Sequence, residues 1–374
     1  MDIKGIKYIA PVFDVSGYAE AARNYILALH SLGVPITITP VSFEQGSAEI
    51  DKEDEIILKS LVNKSIDYNI VLIHLTVEHY QRFIESDKIN IGYSIWETHR
   101  ISDEWVNWIN SSMDLIFTAS DWGVDVYKKS GVYKPIIKIP HCINIKNYED
   151  VEAYKVSGVP EDAYKFYAIF QFIERKNPVA LLKAYWSAFQ NNENVALIIK
   201  TYRANFSEDE KKAIRTMIRR IKDTMVFDNF PPVYLILDKL SRNEILGLHN
   251  YCDCLVHTDR GEGWGLSPFT AGAMGNPIIV TGWGGITEYA KSYNSYLVDY
   301  VLEPVFGMSH ISPFYNSTQL WAYPSIFQAS QSMKYVYEHP EEAKEMGKKL
   351  QYDIIHNFNH TVVGNQIVEA IKAL

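Results

Sequence analysis

The chain is poor in cysteine, in basic charge and in long apolar runs, and each shortage excludes a class of protein. Three cysteines in 374 residues cannot build a disulfide framework. Cys252 and Cys254 are too close in sequence for an ordinary bridge and fall on one side of a short apolar run, and no zinc-site spacing of cysteine with histidine occurs. This usage predicts a reducing, cytoplasmic setting. A formal net charge of -9 argues against nucleic acid as the main partner, because phosphate-backbone binders present broad basic surfaces. No apolar run approaches the length that spans a bilayer, and the first residues lack a basic-then-apolar leader pattern, so a soluble protein is expected.

Two nucleotide motifs are also missing. GxGxxG occurs nowhere, and "APVFDVSGYAEAAR" after the first apolar run carries only Gly17, which speaks against a dinucleotide-dependent oxidoreductase. GxxxxGK[ST] is absent, which speaks against a P-loop hydrolase. His74 and His79 in "HLTVEH" are five residues apart, share no helical face, and read as polar residues at a strand end.

What is present is an ordinary globular composition, 47% hydrophobic and 22% charged, in a chain long enough for two domains. Short β-rich runs, "IKYIAPVF", "ITITPVSF", "NIVLIHLTV", "NIGYSIW", "LIFTAS" and "IIKIPH", alternate with helical patterns such as Tyr18 to Leu32 and Trp122 to Ser130. After the polar stretch "NIKNYEDVEAYKVSGVPEDAY" the alternation restarts with "YAIFQF", a helix from Pro178 to Gln190, "VALIIKT", "VYLIL", a helix from Ser241 to Tyr251 and "CLVH". The pattern predicts two α/β units built on parallel sheets that face each other across a cleft. The predicted boundaries are 1–150 and 151–352. The one strongly basic stretch, Lys211 to Lys222, places Ile214, Met217, Ile218 and Ile221 on one helical face. It reads as a helix packed on its own domain, with peripheral contact to an anionic membrane as the alternative.

The most informative stretch is "GEGWGLSPFTAGAMGNPIIVTGWGG", Gly261 to Gly285. It reads as a glycine loop, a helix capped by Ser267 with Pro268 in its first turn, a stop at Gly275-Asn276-Pro277, and a strand. Helix amides pointing into a loop without Cβ atoms at Gly263 and Gly265 suit a phosphate or diphosphate. The competing reading is that the glycines only make a tight turn.

With Glu262 reached, the sequence resembles a retaining glycosyltransferase of the GT-B fold, family-4 (glycosyl transferases group 1) type, whose signature has the form EGFGL followed by a helix and a G-P-V-I strand. Here that reads "EGWGLSPFTAGAMGNPIIV"; "IGYSIWETHRISDEWVNWINSSMDLIFTASDWGVDVYKKSGV", "PIIKIPHCIN" and "FIERKNPVALLKAYWSAF" extend the likeness over most of the chain. The resemblance implies two Rossmann-like domains, an acceptor-binding first and a donor-binding second, with a tail of about 353–374 that returns to pack on the first. The implied donor is a UDP- or GDP-sugar and the acceptor a glycan or glycoconjugate, with no separate cofactor. The absence of any DxD pair, the metal-carrying motif of the other common glycosyltransferase fold, implies metal independence.

The resemblance also implies roles. Cations aimed at the diphosphate offset charge on the leaving oxygen, and Lys176 and Arg175 in "ERKNP" are the candidates, with Glu262 reaching the donor sugar. Gly263, Trp264, Gly265, Leu266 and Ser267 would form the cradle, Lys200 in "LIIKT" would add charge, and Leu240 after "VYLIL" is counted among the nucleotide contacts. In the first domain Gly17 stands in the loop beneath the diphosphate. Glu97 in "WETH" stands where many relatives carry a catalytic-site histidine, with capping of the next segment as its alternative. Trp264 and Trp283 offer rings that can stack on sugars. "GMSHISPFYNSTQLWAYPSI" resembles a variable insertion on the acceptor side.

Two positions depart from the pattern. Thr270 stands where a second glutamate grips the ribose, and Gln171 stands where an arginine precedes the diphosphate lysine by five residues. A hydroxyl cannot replace a bidentate carboxylate acceptor. These departures keep a degenerate protein that binds without transfer as the alternative, beside an epimerase or a phosphorylase of the same architecture.

Overall fold

A computed structural model describes residues 2–43, 48–190 and 194–374. The chain divides into two compact units, Met1–Asn147 with Ile355–Leu374, and Tyr148–Ile354.

In the first unit, β1 (Ile6–Ala10), β2 (Ile36–Pro40), β3 (Ile70–His74), β4 (Ile89–Tyr93), β5 (Leu115–Thr118) and β6 (Ile136–Lys138) form one sheet in the order β2-β1-β3-β4-β5-β6. Every pairing is parallel. β-Branched runs buried on both faces suit such a sheet, and β3 is buried at all of its positions. The crossovers include α1 (Gly17–Ser31), α2 (Lys52–Leu61), α3 (Asp103–Ser112) and α4 (Asp121–Ser130). The hydroxyls of Ser16, Ser102 and Ser120 each cap the following helix, and Gly131 ends α4 in the left-handed region.

The second unit repeats the plan. β7 (Tyr164–Gln171), β8 (Val195–Tyr202), β9 (Val233–Ile236), β10 (Cys254–His257), β11 (Ile278–Thr281) and β12 (Tyr296–Val298) make a second parallel sheet in the order β12-β11-β10-β7-β8-β9. Between its strands run α5 (Pro178–Ala188), α6 (Glu208–Asp223), α7 (Arg242–Tyr251) and α8 (Leu266–Ala273). α6 buries Ile214 and packs Met217, Ile218 and Ile221 on the core, as its pattern predicts. Ser241 starts α7 through a reciprocal capping box with Glu244. An antiparallel hairpin unanticipated from sequence, β13 (Tyr300–Pro304) with β14 (Leu320–Pro324), frames the segment read as a variable insertion.

Three helices close the chain, α9 (Ile326–Glu338), α10 (Pro340–Asn357) and α11 (His360–Lys372). α11 packs on α1: Val363, Ile367, Ala370 and Ile371 enter the core of the first unit, and Gly364 lies against Ala28 and Leu32. Two parallel six-stranded sheets with flanking helices and a C-terminal helix returning to the first unit constitute the GT-B fold.

Candidate active site

Of the candidate donor-site residues, Arg175, Lys176 and Glu262 come together in the second unit, at the carboxyl ends of β7 and β10, where open parallel sheets bind ligands. Strand β7 ends in the one-turn 3-10 helix Glu174–Lys176, and Asn177, left-handed at φ 48°, caps α5 by accepting from the Ala180 amide at 3.2 Å. The turn aims both cations at the loop after β10. Lys176 Nζ donates to Glu262 Oε1, and an Arg175 Nη1 lies 3.2 Å from Oε2 and 2.7 Å from the Gly261 carbonyl oxygen. His257 Nε2 lies 3.1 Å from Oε1. Glu262 is 6% exposed, so its carboxylate is one side of a largely dry charge cluster. Burial alone would raise its pKa, but Lys176, Arg175 and His257 outweigh that and hold it well below the usual carboxylate range.

Asp259, three residues away, behaves oppositely. It is fully buried, and neither carboxylate oxygen has a hydrogen-bond partner; the nearest ring nitrogen, His257 Nε2, is 3.6 Å away. Burial, reinforced by the charge of Glu262 and opposed by His257, pushes its pKa up to about 7. Sequence reasoning missed this residue and His257, although the H-x-D-x-x-E spacing that starts at the last residue of "CLVH" was there to be read.

The ligating atoms of His257, Asp259 and Glu262 lie within 4.8 Å of one another. The set fits a divalent cation poorly, because an ammonium and a guanidinium already hold the two oxygens of Glu262 and would repel a metal at contact distance.

Helix α8 starts differently from expectation. Gly265, at φ 81°, occupies the N-cap position, no side chain caps this end, and the Ser267 hydroxyl has no partner. The expected Ser267 cap is therefore corrected: a Ser-Pro pair in sequence marks the first turn here, while the turn itself is made by glycine. The space left by the missing Cβ atoms is also used internally. A Cβ on Gly265 would meet Ile286 at 2.7 Å, and one on Gly285 would lie 1.9 Å from the Gly263 carbonyl oxygen, so the two glycine loops pack backbone against backbone. The Gly285 amide donates to the Glu262 carbonyl at 2.7 Å, and the Tyr289 hydroxyl donates to the carbonyls of Trp264 and Gly265 at 3.1 and 2.8 Å. These contacts hold the loop that carries Glu262 and leave the first amides of α8 at its end.

Trp264 is 1% exposed and packs on Phe269 and Tyr289, with ring centroids 5.0 and 5.1 Å away; its ring belongs to the core and offers no face for stacking. Trp283 is likewise buried, beside Tyr300. Leu266 and Thr270 are half-buried on α8. Lys200, at the end of β8, is buried with its ammonium 5.0 Å from the Phe206 ring centroid, and burial lowers its pKa to about 8. No ion pair joins it to the Glu262 cluster among the described residues. Gln171 donates to the Arg203 carbonyl at 2.8 Å, and Leu240 is half-buried just before the α7 cap.

Gly17 and Glu97 belong to the first unit. Gly17 is the exposed first residue of α1, behind a loop held by Arg23 Nη1 bonds to the carbonyls of Val12 and Asp14 at 2.8 and 3.0 Å. Glu97 is half-buried after β4, and the Ser102 hydroxyl caps α3. His74 and His79 do not converge. His74 is buried against the Tyr8 hydroxyl at 2.7 Å and burial lowers its pKa strongly, whereas the His79 ring stacks on Phe43.

With this geometry in place, the likenesses are specific. Residues 151–301, all within the second unit, match the family model described as glycosyl transferases group 1. The Anabaena HepE protein in complex with UDP and glucose superposes with a TM-score of 0.66 at 14% identity, over 99% of this chain and 100% of that one. Sucrose-phosphate synthase from Thermosynechococcus elongatus gives a TM-score of 0.67 at 14% identity, over 99% and 98%. An uncharacterized protein of Sulfolobus islandicus rod-shaped virus 1 is 20% identical over 284 residues, 75% of this chain and 76% of its own. The chain has the GT-B fold, and residues 151–301 of its second unit are similar to the glycosyl transferases group 1 model.

Proposed function

We propose that the protein is a glycosyltransferase that moves a sugar from a nucleotide-diphosphate sugar to a glycan or glycoconjugate, with retained anomeric configuration and no metal ion. The observation that carries this reading is the convergence of Arg175, Lys176 and Glu262 beside the uncapped start of α8. The bond from the anomeric carbon to the diphosphate breaks, and charge grows on the leaving oxygen. Arg175, Lys176 and the first amides of α8 offset that charge. Glu262 accepts from donor-sugar hydroxyls, and the proton of the attacking hydroxyl passes to the leaving phosphate. The two cations stand in for the metal that the charge cluster disfavours. In the first unit, Glu97 is assigned to the acceptor side and Gly17 to the diphosphate. UDP is the preferred nucleotide by analogy with the HepE complex, and GDP is the second choice.

One observation favours binding without transfer: Thr270 and Gln171 remove two expected contacts, and the Gln171 amide is committed to Arg203. Titration calorimetry of UDP, GDP, ADP and dTDP and their common sugars, with and without magnesium, on wild type and Thr270→Glu, decides between them. Metal-independent binding of one base with turnover of its sugar supports transfer. Binding only by Thr270→Glu points to a degenerate donor site. Absence of binding in both proteins refutes the donor-site reading.

A further inference from the structure

Arg260 sits between Asp259 and Gly261 and is 4% exposed. Its side chain reaches two carboxylates: Nη1 donates to Glu303 Oε1 on β13, and Nη2 donates to Glu174 Oε1 at 2.9 Å. Nε donates to the Glu174 carbonyl at 3.2 Å. The guanidinium also lies 4.9, 5.3 and 5.2 Å from the ring centroids of Phe306, Trp321 and Tyr323. Its backbone repeats the connection. The Arg260 amide donates to the Arg175 carbonyl at 2.7 Å, and its carbonyl accepts from the Ala322 amide on β14 at 2.8 Å.

One residue therefore joins three segments: the turn Glu174–Lys176 that carries the two cations, the loop that carries Glu262, and the hairpin β13–β14. We propose that Arg260 is a positioning residue for the diphosphate site and that the hairpin is the buttress through which it acts; the inference rests on the donor-site reading above. Two physical effects support it. Holding Glu174 by both its carboxylate and its carbonyl, and Arg175 by its carbonyl, fixes the backbone that aims Arg175 and Lys176, so less ordering remains to be done when a diphosphate binds. Pairing Glu174 also keeps its carboxylate away from the adjacent cations; without Arg260 that carboxylate would compete with the diphosphate for them. The hairpin, whose β13 is largely exposed, then has a reason to carry a glutamate and three rings on one guanidinium.

The test compares UDP with uridine, because uridine lacks the groups that Arg175 and Lys176 meet. In Arg260→Lys, which keeps a charge but not the planar fork, UDP affinity is expected to fall about tenfold while uridine affinity stays within about twofold. Glu303→Gln, changed at a partly exposed acid on β13 that meets the loop through Arg260, is expected to show the same selective loss and carries the test if Arg260→Lys fails to fold. Equal losses for both ligands, or none, overturn the proposal. Hydrogen exchange without ligand supplies a readout independent of the donor assignment. Glu303→Gln should speed exchange in residues 174–177 as well as in 300–324; acceleration confined to 300–324 overturns the clamp. A wild type that binds no nucleotide sinks the donor-site reading, and the exchange result then decides the clamp by itself.

Discussion

Asp259 and Glu262 share His257 as a neighbour yet lean to opposite protonation states. The carboxyl of Glu262 is held below its ordinary 4.5, so its contribution to stability is present above that value and is lost as pH falls through the folded pKa. Asp259 is raised from 3.8 to about 7, so its contribution is complete below 3.8 and disappears as pH rises through about 7. Between these limits Asp259 makes the second unit less stable at each step upward. Asp259→Asn should therefore melt higher than wild type at about pH 8 and lose much of the wild-type slope between about pH 5 and pH 8. Thermal melts across that range check it, and an unchanged slope would mean that the carboxyl titrates normally. Lys176 is argued from charge rather than from proton uptake. On the proposed mechanism Lys176→Met removes one of the two cations assigned to the leaving oxygen, and turnover of the donor sugar should drop by roughly 100- to 1,000-fold, the usual scale for a lost transition-state donor. Initial-rate measurements on the sugar identified by calorimetry give the number, and a loss below about fivefold would remove Lys176 from the mechanism.

Two glycine loops interlock because backbone meets backbone, and that contact sets the tolerance of the elements around it. Gly285→Ala places a methyl against the Gly263 carbonyl and should destabilise the second unit by about 1 to 3 kcal/mol or more. Gly33→Ala is the control: Gly33 has φ 76° with nothing within 4 Å, so only the backbone penalty, about 1 kcal/mol, applies. Urea unfolding of both variants separates steric packing from backbone strain, and equal costs would contradict the interlock. The same region shows why some elements were legible and others were not. Runs such as "VALIIKT" and "IIVT" declare buried parallel strands because both faces of each residue series are apolar. The start of α8 misled, since Ser267-Pro268 has the chemistry of a cap and only the left-handed Gly265 reveals the true turn. The hairpin was silent because "YVLEP" is largely exposed and pairs with a strand sixteen residues beyond its end, so neither alternation nor a short turn announces it. At the site, the cations of "ERKNP" and Glu262 were visible as types in the right loops. Asp259, His257 and Arg260 were hidden because their meaning lies in burial and in partners far along the chain, Glu174 and Glu303 among them.

At the scale of the molecule, the chain closes on itself: α11, the last helix, fills the core of the unit that β1 began. That return was expected from the family resemblance, and the apolar positions Val363, Ile367, Ala370 and Ile371 of α11 give the physical reason, since they form the face that is buried. Ile367 is 1% exposed in that core, and Ile367→Ala should cost the first unit about 2 to 5 kcal/mol through lost burial and the cavity left behind. The donor-site residues of the proposed function lie in the second unit, apart from Gly17, so the same substitution should leave UDP affinity within about twofold of wild type while lowering the melting of the first unit. Calorimetric scanning with and without UDP reads both quantities, because a nucleotide held by the second unit raises only the transition of the unit that binds it. A variant that loses UDP affinity in proportion to its loss of stability would show that the first unit contributes binding energy before any acceptor arrives. Gly17 and the loop held by Arg23 would then be the residues to change next, since they are the first-unit groups assigned to the diphosphate.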